Sequence, residues 1–432
     1  MYQRCGSADV FAAILDRLIR DEGGAGNLGQ LHVLLAGTAL DVDALALGWK
    51  RLGEQAWPLG AHIHHGLRGM RMVMQGPAAL TLERRGHAAD CALEHLRQGT
   101  GTHAVRLALV DHADNPALVL TWNHTVIDAR AAAGLLAELP ALAGGRRLRE
   151  DWWRPGYREV PGVPERAAER GRLAQQALEL LRPHRLVELW RPLPRQQRRS
   201  YAPNRALPLV CQSETIGASD AERLRLRQRQ AAGRMSETPF LLACVAAALE
   251  SLLGIRGDVL MPLAVDLRAP GERRMLANCH GYCFLRVPAG LASTDLAATC
   301  HHLKQAHREW IEKDGVAKLS SSMSWFGYLP HAIAQAQLGN HGPGVWSSCI
   351  VANSGPSTLP ESLFGARVLG VSHAATIPAT PGLGVLFHRD QRGLSFDALA
   401  CGKVLTHIQP QALARAIRWQ LLERPIPAAA PA

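Results

Sequence analysis

The sequence predicts an α/β protein built of two mixed lobes, and three observations predict it. Strand-like apolar runs alternate with helix-like ones along most of the chain, which is the pattern of layered α/β domains. The alternation breaks over an Arg- and Pro-rich stretch at 144–206 and resumes at Leu207. The 432 residues are 47% hydrophobic and 20% charged, enough apolar material for a core and too little charge for disorder. At roughly 150 residues per domain, this length fits two or three domains or two large lobes. A first lobe is therefore expected at 1–185, a basic crossover at 186–206 and a second lobe at 207–432.

The elements follow in order. Val10, Phe11, Ile14, Leu15, Leu18 and Ile19 form the stripe of an amphipathic helix with Ser7 as its N-cap. Charges interrupt that stripe, so it does not read as a secretory leader. Residues 29–37 read as a strand bounded by glycines, followed by a helix that Asp41 or Asp43 caps. Two further strands, 104–110 and 117–123, flank a turn-rich segment, and the second runs into an Ala/Leu-rich helix. Between Arg182 and Arg199 there are six Arg and one Glu, read as a solvated crossover between lobes, with an acidic-partner surface as the alternative. Beyond it come a charged helix at 219–234 and a buried one at 239–254. Strands follow at 258–268, 277–287, 346–355, 366–374, 383–390 and 393–401, and a helix closes the chain from Leu413.

Composition excludes several classes. The net charge is +11, yet only five of the 48 basic residues are Lys. A nucleic-acid reader clusters basic and aromatic residues, whereas aromatics here are 5% and scattered, so no nucleic-acid partner is expected. No apolar run approaches the roughly 18 residues of a membrane span. Nine dispersed cysteines, with only Cys279 and Cys283 close together, form neither a zinc pattern nor a disulfide framework. A cytoplasmic monomer is the expectation.

The candidate chemistry lies in His124-Thr125-Val126-Ile127-Asp128. With 19 His in the chain, a His-x-x-x-Asp match arises about once by chance, so placement matters more than the pentapeptide. His124 stands where an apolar strand ends and a helix begins, a rigid support from which a side chain can enter a cleft. Histidine is the natural general base at neutral pH. Asp128 falls in the first helical turn, where it can cap the helix and face inward.

These segments resemble the HxxxD acyltransferases, a superfamily of BAHD enzymes, nonribosomal peptide condensation domains, wax ester synthases and polyketide-associated acyltransferases. The resemblance runs through most of the chain. It rests on LHVLLAGTALDVDALALGWKRLGEQAWPL, ALVLTWNHTVIDARAAAGLL, LMPLAVDLRAPGERRMLANCHGYCFLRV, SSCIVANSGP and the FGARVLGV segment, in that order. It implies two chloramphenicol-acetyltransferase-like lobes forming a V with a tunnel between them. It also implies that His124 deprotonates an alcohol or amine, which attacks an acyl thioester. By the same resemblance Asp128 is a structural partner, paired with Arg268 of the Asp-Leu-Arg segment. The thioester would arrive on coenzyme A or on an acidic acyl- or peptidyl-carrier protein's phosphopantetheine, either of which suits a basic surface. No tightly bound cofactor is implied. The chain departs from the family in Ala129 after the Asp, in Asn123 where condensation domains have a second His, and in lacking the later Asp-Phe-Gly-Trp motif.

Other residues were weighed. Asn278 fits an anchor for a strand crossing between lobes, or equally a turn, and is grouped with Ser347, Ser348 and Asn353 as a candidate for the substrate or pantetheine tunnel. Ser347, Ser348 and Asn353 flank a strand that by resemblance faces the tunnel and the pantetheine amides, or are ordinary strand-end polar residues. His62, His64 and His65 alternate as on a strand edge and lack partners at metal-ligand spacing. His301 and His302 read as a solvated helix face. The expected function is a free-standing acyltransferase of natural-product or lipid biosynthesis, forming an ester or amide. The alternative is a non-catalytic condensation-like module that binds a carrier protein.

Overall fold

The structure is a computed structural model that describes residues 2–66, 69–74, 77–86, 88–101, 103–110, 115–148, 162–186, 189–190, 207–234, 237–268, 275–329, 333 and 347–423. The first half holds β1 (Tyr2–Arg4), α1 (Ser7–Asp21), β2 (Leu28–Leu35), α2 (Val42–Gln55), β3 (Ala61–Gly66), β4 (Gly69–Met74) and β5 (Leu82–Arg85). It continues with α3 (Ala88–Gln98), β6 (Val105–Val110), β7 (Ala117–Asn123), α4 (Ala129–Ala143) and α5 (Ala167–Leu186). The second half holds β8 (Leu209–Ile216), α6 (Ala218–Ala232), α7 (Glu237–Leu253), β9 (Val259–Asp266), β10 (His280–Val287) and α8 (Leu291–Thr294). It ends with α9 (Leu296–Glu312), α10 (Gly315–Phe326), β11 (Ile350–Pro356), β12 (Ser362–Leu363), β13 (Ala366–Ala375), β14 (Leu383–Asp390), β15 (Gly393–Cys401) and α11 (Pro410–Leu422).

Two six-stranded sheets organise these elements, in the orders β12-β13-β2-β7-β6-β5 and β10-β9-β11-β14-β15-β8, beside a small β1-β4-β3 sheet. Strand composition explains the layering. β7 is buried at six of its seven positions, as a central strand covered on both faces must be. α7 is buried continuously from Phe240 to Glu250, so it runs through the core instead of floating on it. Trp49, Trp122, Trp190, Phe240, Phe387 and Phe396 are fully buried and anchor the packing.

The mixed α/β architecture is the one the sequence predicts, with three adjustments of detail. Ser7 is the first residue of α1 and Gly6 takes the cap position; the Asp9 carboxylate accepts the Gly6 N–H at 2.9 Å. Part of the Arg- and Pro-rich stretch is helical: α5 packs along α10, burying Arg170 and Ala177 on a narrow stripe that a strong apolar period would not reveal. Most of the expected crossover 186–206 lies outside the described residues. Within it, Trp190 is buried and donates its N–H to Asp258 O at 2.7 Å.

The third adjustment concerns pairing. β12 and β13 follow residue 207 yet belong to the sheet of the first half, where β13 runs antiparallel to β2 over Val368–Ala375. The backbone of β13 also meets carboxylates from the second sheet: Val371 N–H donates to Asp390 Oδ2 at 2.7 Å and His373 N–H to Asp397 Oδ2 at 2.9 Å. One strand thus ties the two sheets together.

Candidate active site

Strand β7 delivers the motif. Asn123 ends the strand and its Oδ1 accepts the Thr125 N–H at 2.8 Å, closing a tight turn. Within that turn the His124 N–H donates to Asn27 O at 2.9 Å, and the His124 carbonyl accepts from Asn278 Nδ2 at 2.7 Å. Asn278 also donates to Asp9 Oδ1 at 2.9 Å, so one buried amide joins α1, the His124 turn and the segment leading into β10. The His124 ring packs edge-on to Trp122, with 5.6 Å between ring centroids, and makes no hydrogen bond among the described residues. Burial, helped by nearby His280, lowers its pKa to about 4, while Asp128 opposes that shift. At neutral pH the imidazole is uncharged, with one nitrogen free to accept a proton.

Asp128 is the N-cap of α4; its Oδ1 accepts the Ala131 N–H at 2.9 Å. The same oxygen accepts Arg268 Nη2 at 2.8 Å, and Oδ2 accepts the Cys279 N–H at 2.9 Å. Arg268 reaches further, to Ala277 O at 2.8 Å, Met275 O at 3.1 Å and Asp266 Oδ1 at 3.1 Å. Its side chain is 1% exposed. Burial alone would raise the Asp128 carboxyl, but the Arg268 guanidinium and His280 together outweigh it and hold the group well below the usual carboxylate range. Ala129 opens α4 without positive φ, so this position needs no glycine.

A cavity of about 330 Å³ opens beside the turn. His124, Asp128, Arg268, Ser347 and Asn353 line it, together with apolar residues such as Phe11, Leu31, Ile350 and Leu386. Asn353 donates to Thr238 Oγ1 at 3.1 Å, at the start of α7. Two of the expected residues are used otherwise. Asn278 stands behind the His124 turn and outside the lining. Ser348 is fully buried; its Oγ accepts the Leu260 N–H at 3.0 Å and donates to Trp190 O at 2.6 Å, so it fastens β9 to the buried Trp190.

Sequence reasoning missed several groups. His280 lies with Nδ1 3.8 Å from Asp128 Oδ2 and Nε2 3.1 Å from the Tyr282 hydroxyl, and both residues line the cavity. Arg130 forms a 3.0 Å ion pair with Asp266, a second link between α4 and β9. His373 and His388 line the cavity on the β13 side. His124 and His280 shared a visible signal, since both occupy strand ends in apolar surroundings. Of the weighed histidines, His62, His64 and His65 belong to β3 and pair with β4. His302 on α9 bonds Arg286 O at 2.8 Å, and His301 is exposed. No group of three or more potential metal ligands occurs among the described residues, nor is any single helix there long and apolar enough to cross a membrane.

No family model and no curated protein matches this chain. Solved structures do. Trichothecene 15-O-acetyltransferase from Fusarium sporotrichioides superposes with a TM-score of 0.70 at 12% identity, covering 98% of this chain and 95% of that one. The first condensation domain of the CDA synthetase gives 0.68 at 17% identity, covering 98% and 96%. A variant of the starter condensation domain of rhizomide synthetase, in complex with C8-CoA, gives 0.62 at 16% identity, covering 98% and 94%. Nearly the whole of each chain is matched, so the two-lobed fold of these acetyltransferase and condensation structures is the fold of this chain.

Proposed function

We propose that this protein is an acyltransferase that moves an acyl group from a thioester to an alcohol, with His124 as general base. The observation that carries the reading is an uncharged imidazole with no hydrogen bond among the described residues, on a cavity wall, in a turn pinned by the Asp128–Arg268 pair. The acceptor O–H gives its proton to His124 as its oxygen bonds to the thioester carbonyl carbon. As the tetrahedral intermediate collapses, the C–S bond breaks and the imidazolium returns the proton to the thiolate. Asp128 takes no proton; its carboxylate favours the transient imidazolium and is fixed by three donors. An amine acceptor would follow the same steps.

The donor is a thioester of coenzyme A or of an acidic carrier protein's phosphopantetheine. The complex of the starter condensation domain with C8-CoA makes octanoyl-CoA the natural first probe. Initial rates with octanoyl-CoA and octanoyl-carrier protein, at low and high salt, assign the donor. Docking of a carrier on a basic rim loses its advantage as ionic strength rises and the Debye length falls well below about 10 Å. In either case His124→Ala is expected to lower turnover about 10²- to 10⁴-fold with folding intact. Near-wild-type turnover in that variant would overturn the mechanism. No transfer by the parent protein with any donor would favour a binding module instead.

A further inference from the structure

The cavity carries another imidazole far from His124. His373 on β13 lines it among Val371, Ala374, Ile377 and Leu386, and its ring makes no hydrogen bond among the described residues. The ring is nonetheless held in place. Its backbone N–H is bound to Asp397 Oδ2 at 2.9 Å, and the ring packs tilted against His388 with 4.9 Å between centroids. His388 is itself fixed by a 2.6 Å bond from Nε2 to Val371 O; a carbonyl only accepts, so Nε2 carries the proton. Burial, reinforced by His388 and His32, lowers the His373 pKa to about 3, so the ring is neutral and offers one donor and one acceptor.

Register gives the approximate separation of the two backbone positions. His373 pairs with Leu31 of β2, and Leu31 pairs with Leu120 of β7. His124 follows Leu120 by four residues, one beyond the end of β7, and both imidazoles line the same cavity. Two strand spacings across and four residues along separate their Cα atoms by about 16 Å. Allowing about 3 Å for a hydrogen bond at each end leaves a span of about 10 Å. The side chains between are largely apolar, Trp122 and Leu31 among them.

We propose that His373 determines acceptor specificity by hydrogen-bonding a second, uncharged oxygen of an elongated apolar alcohol, about 10 Å from the hydroxyl that meets His124. The substrate class is thus a long-chain diol or an alcohol with a remote carbonyl. This rests on the reading of His124 as base. A carboxylate at the far end is disfavoured because neutral His373 supplies no countercharge and the buried Asp397 lies directly behind it.

The test compares 1,8-octanediol with 1-octanol, first by calorimetric binding without donor and then as acceptors with octanoyl-CoA. In a wholly apolar cavity the diol binds more weakly, because burying its far hydroxyl without a partner is unfavourable. The proposal expects the diol to bind the parent protein at least as tightly as octanol. It expects the diol-to-octanol ratio to fall about three- to tenfold in His373→Leu and to be largely restored in His373→Gln. His124→Ala keeps the binding preference while losing transfer. A parent protein that binds octanol tenfold more tightly than the diol, with the ratio unmoved by His373→Leu, would overturn the proposal. Transfer to octanol with no diol preference would refute this subsite alone. Diol preference without transfer would refute the acyltransfer reading alone.

Discussion

Two seams join the sheets, and each buries an aspartate whose charge is handled in the opposite way. At the His124 end, Asp128 meets a guanidinium that is itself almost completely buried, and its carboxyl is held far below the usual range. At the β13 end, Asp397 is 1% exposed and among the described residues accepts the Ser213 hydroxyl and the His373 N–H, with His388 Nδ1 3.7 Å away. Burial dominates there and pushes its pKa up to about 6. The cation of that seam, Arg392, lies instead on Asp390 at 2.8 Å and on Val371 O at 2.6 Å, near the surface. The difference teaches that burial of an acid does not set its charge. What decides is whether a cation is buried with it, and only the seam beside the proposed base has one.

The largest expected effect follows from breaking the first seam. Arg268→Leu would strand the Asp128 carboxylate in the interior and lower stability by about 3–5 kcal/mol, read from urea unfolding near pH 7. A loss under about 1 kcal/mol would show that Asp128 is solvated after all. The second seam should respond with the opposite sign. Asp397 has a folded pKa above its unfolded value, so below about pH 4 both states hold the proton and the site carries no penalty. Between about pH 4 and 6 the unfolded chain ionises while the folded protein keeps its proton, so up to about 3 kcal/mol of stability is lost, and the loss is complete above 6. Asp397→Asn is therefore expected to match or exceed the parent protein's stability at pH 8, and a less stable variant at that pH would contradict the assignment. Asp128 runs the other way. Its contribution is full above the unfolded carboxylate value and is lost only as pH falls below about 4. The smallest effect belongs to Arg392→Ala. That side chain is 37% exposed, so solvent screens its pair with Asp390 and a change of about 1 kcal/mol or less is expected in the same unfolding assay.

The first seam was legible in the sequence only in part. Strand β7, the cap at Asp128 and helix α4 follow from local patterns, because apolar runs and cap residues act over a few positions. Arg268 is 140 residues away from Asp128, and only resemblance brought the two together. The second seam was not legible. β13 reads as one more strand of the second half, and nothing local to ARVLGVSHAA says that its partner is β2, more than 300 residues earlier. His373 and His388 were overlooked for the same reason: each sits singly in an apolar strand and gains meaning only where two sheets meet. Ser348 shows the converse. Its place beside an apolar strand suggested a ligand contact, but two buried backbone groups already use its hydroxyl. Helix α5 escaped notice because it sits within a stretch whose Arg and Pro residues read as a crossover, and only a narrow stripe of it is buried.

If the first seam presents His124 to the cavity as an uncharged base, the pH dependence of kcat/KM for octanoyl transfer will show it, since that ratio reports the free enzyme's essential groups. With its pKa lowered to about 4, His124 needs no deprotonation near neutrality. The rate constant is expected to stay level between about pH 6 and 8 and to fall to half near pH 4, with no such limb in the residual activity of His124→Ala. An acidic limb centred between about pH 6 and 7, or one that survives in His124→Ala, would contradict the account.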